Sequence, residues 1–121
     1  MNLTLIFRIE AAILFINGFL LIFFTTPFLE MAAFNMTPEL VTLGQVFGCA
    51  VISLGIIAFR TPDISENSMK QYGQLYSIIC VIFFLMIGYH IFTGQASGPT
   101  PVANLAINLI FGGLFFIFSK D

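Results

Sequence analysis

Three long stretches without a charged residue constrain the fold of this chain more than any motif does. They cover residues 11–29, 40–59 and 71–119. The first two hold 19 and 20 residues, close to the roughly 20 that an α-helix needs to cross a hydrocarbon core of about 30 Å. Backbone N–H and C=O groups must be paired within the protein in lipid, and a helix pairs its own. The spacing of the charges therefore predicts membrane-spanning helices.

The third stretch is too long for one helix, and a turn is predicted inside it. Residues 93–101 read TGQASGPTP, and such a cluster of Gly, Pro and small polar residues is typical of a turn. Earlier in the chain, Pro27 is placed to end the first helix, while Thr37 and Pro38 are placed to cap and begin the second. We expect one domain over residues 1–121, an all-α integral membrane four-helix bundle with spans at about 3–26, 38–60, 71–92 and 102–119.

The composition agrees with a membrane protein and disfavours several other classes. Charged residues make up 8% of the chain and the mean hydropathy is +1.02, whereas soluble proteins carry about 25% charged residues. A soluble enzyme, a disordered chain and a coiled coil are therefore not expected. The net charge is −2 with four Lys and Arg residues, too few basic groups for a protein that binds nucleic acid through its phosphates.

The basic residues predict how the helices are oriented. With four spans, the N-terminus, the 60–70 loop and the C-terminus share one side of the membrane. All four basic residues belong to that side, namely Arg8, Arg60, Lys70 and Lys120. Cytoplasmic loops carry an excess of Lys and Arg, so we expect both termini in the cytoplasm. The compact, phenylalanine-rich chain indicates a bacterial protein of the inner (plasma) membrane.

Glu10 is the one acidic residue that lies well inside a predicted span. Ionisable groups within a membrane are rare and often functional, so one hypothesis makes Glu10 a coupling carboxylate for which a proton and a substrate compete. The other makes it half of a structural ion pair. Arg8 lies two residues away with a side chain long enough to reach the headgroups, and Arg60 and Lys70 belong to the same membrane face. The sequence leaves both hypotheses open.

Further polar residues at depth predict a small pocket among the helices. Polar stripes are expected to face other helices, because lipid offers no hydrogen bonds. One such stripe on the second helix consists of Thr42, Gln45, Cys49 and Ser53. Alternatively, the amides only tie helices together, and the single histidine only bonds to loop groups or water. The residues of the predicted pocket are Asn17, Gln45, His90, Asn104 and Asn108.

Small residues form a separate face on the second helix. Gly44 and Gly48 make a GxxxG motif, and Gly55 follows seven residues later. Such a face lets two helix backbones approach closely. The motif predicts a helix-packing contact, either inside the bundle or with a second copy of the chain.

Catalytic and metal-binding motifs are missing from the sequence. It contains no GxSxG, no HExxH and no phosphate-binding loop, and one histidine is too few for a multi-histidine metal centre. Cys49 and Cys80 form no CxxC pair. We therefore predict no enzymatic activity, no cofactor and no metal site.

The second helix resembles that of small four-helix proteins of the bacterial inner membrane. The resemblance is carried by GQVFGCA at residues 44–50 and LGIIAFR at residues 54–60, with Arg8 opening the first span and Pro27 closing it. In outline the chain is similar to the DoxX-like families. The resemblance implies a four-span layout over nearly the whole chain and transfers no active-site residue.

Together these observations predict a non-enzymatic accessory or interaction subunit that binds partner helices, lipid or a small apolar ligand. Membrane lipids and a homo-oligomer or larger membrane complex are the expected partners, and nucleic acid is not. The alternative is a proton-coupled transporter of small solutes that acts as a homodimer, with Glu10 as the coupling carboxylate.

Overall fold

Four long apolar helices build the protein, and the predicted all-α four-helix bundle is confirmed. The computed structural model describes residues 1–120, and within them the chain is helical and has no strand. Four of its helical segments are long and apolar enough to cross a membrane. Asp121, the last residue of the predicted domain, lies outside the described residues. The elements are α1 (Leu3–Phe23), α2 (Thr25–Glu30), α3 (Pro38–Ile64), a 3-10 turn (Glu66–Ser68), α4 (Met69–Phe92) and α5 (Pro99–Phe118).

The helices begin and end at positions that local capping residues explain, and some of these positions differ from the predicted spans. Thr37 caps α3 as expected, since its side chain accepts a hydrogen bond from the backbone N–H of Leu40 at 3.2 Å. The fourth long helix begins at Pro99, three residues before the predicted start. Proline suits the first helical position because the N–H it lacks would have no partner there. The first span is interrupted at Phe24, after which the short α2 begins.

The long helices form two closely packed pairs, α1 with α3 and α4 with α5. In the first pair, a Cβ atom added at Gly48 would lie 3.0 Å from the carbonyl oxygen of Gly18, so the two backbones are almost in contact. In the second pair, Ser77 Oγ donates to the carbonyl oxygen of Gly112 at 3.0 Å. Gln74 Nε2 donates to the carbonyl oxygen of Ser119, also at 3.0 Å.

The two pairs meet at both ends of the bundle. At the end that carries the N-terminus, the ring of Phe7 contacts those of Tyr76 and Phe115, with centroid distances of 5.3 and 4.9 Å. At the opposite end, the backbone N–H of Ser97 donates to the carbonyl oxygen of Ala32 at 3.1 Å. This second contact joins the segment after α2 to the loop before α5. Between these two ends the helix pairs leave a cavity.

Candidate functional site

The cavity between the two helix pairs, called here the interpair cavity, is the candidate functional site. Its volume is about 430 Å³, and it is lined by side chains from all five α-helices. Small-molecule sites in proteins typically measure about 300–1,000 Å³ and are mostly apolar with a few placed polar groups. The interpair cavity fits this description, because aliphatic and aromatic side chains form most of its wall.

Glu10 lies at the end of the interpair cavity nearest the N-terminus. Its side chain is buried, with 5% of its surface exposed. Its Oε2 atom has no hydrogen-bond partner within residues 1–120. Tyr76 and Cys80 of α4 line the same end of the cavity. The hydroxyl of Tyr76 donates to the carbonyl oxygen of Leu54 at 2.9 Å.

Arg8 does not pair with Glu10, which corrects the ion-pair hypothesis. Its guanidinium donates to Asp63 Oδ1 at 2.8 Å. It also lies 4.2 Å from the centre of the Phe59 ring. Residues two positions apart on a helix point about 200° apart, at 3.6 residues per turn, so Arg8 faces the end of α3 while Glu10 faces the cavity. Within residues 1–120 the ion pair of Arg8 with Asp63 is the only salt bridge.

Three asparagines line the interpair cavity and form what we call the asparagine ladder: Asn17, Asn104 and Asn108. Asn17 Nδ2 donates to Asn104 Oδ1 at 3.3 Å, which joins α1 to α5. The Nδ2 atoms of Asn104 and Asn108 each donate one turn back along α5, to the carbonyl oxygens of Thr100 and Asn104. The half-buried His90 lines the far end of the cavity. These four predicted pocket residues therefore share one site.

Gln45 does not belong to that site, which corrects its place in the predicted pocket. Its side chain is exposed, and its Nε2 atom donates to the carbonyl oxygen of Ile22 at 3.3 Å. The whole predicted stripe of Thr42, Gln45, Cys49 and Ser53 is exposed, and the bond of Gln45 to α1 is its one side-chain hydrogen bond to another helix within residues 1–120. The hydroxyls of Thr42 and Ser53 bond to carbonyls of their own helix, at 3.2 and 2.8 Å.

The glycine face takes the inward position on α3. Gly44, Gly48 and Gly55 are all buried. A Cβ atom at Gly44 would lie 2.7 Å from Thr25 Cγ2, and one at Gly55 would lie 3.0 Å from the ring of Phe15. The structure thus places the predicted helix-packing face inside the bundle, against α1 and α2.

Apart from His90, the wall that α4 contributes was not predicted from the sequence. Seven residues of α4 line the interpair cavity, and five of them follow one another at spacings of four and three: Tyr76, Cys80, Phe83, Ile87 and His90. This spacing is that of one helix face. The signal is present in the sequence, but apolar residues occupy every face of a membrane helix, so it does not stand out.

The exposed lining residues indicate that the interpair cavity opens between α3 and α4. Among the described residues that line it, only Phe47 of α3 and Met86 of α4 are exposed, at 48% and 53%. On the opposite side, the hydrogen bond between Asn17 and Asn104 ties α1 to α5. The opening is therefore flanked by two large apolar side chains.

Comparisons of the chain with protein-family models, with curated proteins and with solved structures find no match. Within residues 1–120, no three His, Cys, Asp or Glu side chains are grouped so that they could hold a metal ion. What the site offers is therefore an apolar space with one carboxyl group, a histidine and three amides on its wall.

Proposed function

We propose that this protein is a non-enzymatic membrane protein that binds a lipid or a small apolar ligand in the interpair cavity. The cavity of about 430 Å³ is the observation that carries the proposal. Helices in lipid associate through close packing, and a void leaves its lining atoms without partners on one side. Empty apolar cavities in proteins take up apolar guests, and this one is bounded by apolar walls on all the long helices.

An accessory role in a larger membrane complex or a homo-oligomer is proposed alongside ligand binding. It is supported by the exposed polar stripe of α3, whose hydroxyl and amide oxygens would accept hydrogen bonds from a partner helix in lipid. The short connections between the helices also leave the bundle itself as the main surface for contact. The DoxX-like outline of the second helix agrees with a protein of this kind.

We also propose that the protein lies in a bacterial inner membrane with both termini in the cytoplasm. The bundle carries Arg8, Arg60, Lys70 and Lys120 at the end where both termini lie, whereas the connections at the other end contain no Lys or Arg. This distribution is what the positive-inside rule describes.

Intact-complex mass spectrometry after gentle extraction into native nanodiscs tests the proposal. Wild-type protein should retain a bound molecule or a defined partner. Ile79→Trp, which adds bulk at the cavity wall, should lose the bound molecule. Ile78→Trp adds the same bulk at a neighbouring position that is 56% exposed and should retain it. Bare protein in all three samples, or identical adducts in all three, would exclude ligand binding in the cavity.

A proton-coupled transporter is the second candidate, and the isolation of Glu10 favours it. A buried carboxyl group without an ion partner can exchange a proton for a substrate. In proteoliposomes, Glu10→Gln should then abolish proton-driven flux while the protein remains folded. Unchanged flux in this variant would remove the candidate.

A further inference from the structure

Glu10 places an acidic group at one end of a cavity whose wall is otherwise mostly apolar. It is the only acidic side chain among the described residues that line the cavity. The Glu10 residue is buried, with a relative exposure of 5%, and its Oε2 atom has no hydrogen-bond partner within residues 1–120. A buried polar group without a partner costs free energy. A ligand that forms a hydrogen bond or ion pair with it removes this cost and therefore binds more tightly.

The Lys and Arg side chains of the protein are directed away from Glu10. Arg8 is held by Asp63 at 2.8 Å and by the ring of Phe59. The ammonium group of Lys120 lies 5.1 Å from the centre of the Phe116 ring. Arg60 and Lys70 are exposed, and neither lines the cavity. No Lys or Arg therefore faces the carboxyl group of Glu10, and His90 lines the opposite end of the cavity, so a bound ligand is the source of positive charge that could meet it.

The remaining wall and the opening define the rest of the ligand. Beyond Glu10, the cavity runs along α1 past Leu14 and Asn17 to Leu21. From Glu10 to Leu21 the helix rises by eleven residues, so this wall is about 16 Å long at 1.5 Å per residue. The opening is flanked by Phe47 and Met86, both apolar. A molecule that enters there meets apolar side chains first, so it must be soluble in the lipid that surrounds the helices.

We infer that the interpair cavity holds a cationic amphiphile, a lipid-soluble amine, with its ammonium group against the carboxylate of Glu10 and its apolar body along α1 and α4. The inference rests on the proposed function, because it specifies the class of ligand for the same cavity. A charge pair of this kind selects between ligands of equal apolar size.

Three probes with the same chain and different headgroups separate charge selection from apolar binding: dodecylamine, dodecanol and dodecanoic acid. Each is added to the protein in phosphatidylcholine nanodiscs, and bound probe is counted by intact-complex mass spectrometry. Wild-type protein should bind dodecylamine about tenfold more tightly than dodecanol, a factor that corresponds to about 1.4 kcal/mol. Glu10→Gln should lose this preference and bind dodecanol as the wild type does.

The control variant is Glu39→Gln, which changes an exposed carboxylate in the first turn of α3 and should keep the preference for the amine. Binding of dodecanol by Glu10→Gln reports that the cavity has survived the substitution. If that variant does not fold, Glu10→Asp, which keeps the charge, should still prefer the amine over the alcohol.

The outcomes distinguish this inference from the proposed function. Equal binding of the three probes by wild-type protein, or an amine preference that persists in Glu10→Gln, would overturn the assignment of a cationic ligand. Either result leaves apolar binding in the cavity intact. Strongest binding of dodecanoic acid would also overturn it. Binding of none of the probes would overturn the proposed function as well.

Discussion

Arg8 and Glu10 are two positions apart and have opposite surroundings. Arg8 pairs with Asp63, whereas Glu10 faces the interpair cavity without a cation. The depth of Glu10 could be predicted from the sequence, because it follows from counting residues along a helix. The partner of Arg8 could not, because Asp63 is 55 positions away in the chain and their approach depends on how α1 packs on α3.

In the asparagine ladder, too, the sequence predicted one part of the arrangement, and the packing of the helices determined the rest. Asn104 and Asn108 are four apart and so share a helix face, which the sequence predicted. Asn17 joins them through a hydrogen bond between α1 and α5. Gln45 met the same criteria of polarity and depth, yet it bonds to a backbone carbonyl outside the cavity. Depth alone does not determine the direction in which a side chain points.

A substitution at Tyr76 measures how much one hydrogen bond between the helix pairs contributes to the free energy of unfolding. Its side chain is 4% exposed, and its hydroxyl donates to the carbonyl oxygen of Leu54. Tyr76→Phe keeps the ring and removes this bond, so it should lower the free energy of unfolding by about 1 kcal/mol. The midpoint of unfolding by sodium dodecyl sulfate in mixed micelles measures the loss. Tyr89→Phe, at a position that is 56% exposed, is the matched control and should not shift the midpoint. Equal shifts in the two variants would contradict the role of the bond.

Either the polar stripe or the glycine face of α3 could face the inside of the bundle, and the glycine face does so. The polar stripe and the glycine face both repeat at helical spacing, so periodicity does not decide between them. In lipid, helices gain most from close backbone contact. The glycine face provides it, with Gly48 almost touching the backbone of Gly18. The hydroxyls of the polar stripe lose little by facing outward, since they bond to their own helix.

Gly48→Ala measures how much this close contact contributes to stability. The added Cβ would lie 2.8 Å from Ile22 Cγ1 and 3.0 Å from the carbonyl oxygen of Gly18, and the backbone oxygen cannot move unless the helices separate. We expect a loss of about 1–3 kcal/mol, the usual cost of overpacking. Gly113→Ala is the control, because a Cβ there meets nothing within 4 Å. It should be neutral or stabilising by up to about 1 kcal/mol through helix propensity. The same detergent titration compares the two, and a harmless Gly48→Ala would refute the contact.

The whole molecule combines a predictable layout with a cavity whose polar residues were mostly predicted from the sequence but whose size and apolar wall were not. The number of helices and their approximate ends follow from uncharged lengths and from Gly and Pro residues in the turns. The interpair cavity results from how the two helix pairs contact each other at their ends. The rings of Phe7, Tyr76 and Phe115 join the helix pairs at one end, and the loops after α2 and α4 join them at the other. A space between such contacts depends on distances, which a pattern of residue types does not contain.

The orientation of the whole bundle can be tested with single cysteines placed at its two ends. Asn67→Cys lies beside the basic end, and Gln95→Cys lies in the exposed loop at the other end. If the basic end faces the cytoplasm, a membrane-impermeant thiol reagent should label Gln95→Cys in intact bacterial spheroplasts. It should label Asn67→Cys only after the membrane is permeabilised. Wild-type protein gives the background, since Cys49 and Cys80 both lie in the middle of membrane-length helices.

Each departure from this labelling pattern has a distinct meaning. The reverse pattern would place both termini outside the cell, with the four basic residues on the side that the positive-inside rule disfavours. Equal labelling of both positions in intact spheroplasts would mean that the chain inserts in two orientations. The confinement of the four basic residues to one end of the bundle makes the single orientation the expected result, because each cytoplasmic Lys or Arg near the anionic leaflet contributes about 1 kcal/mol.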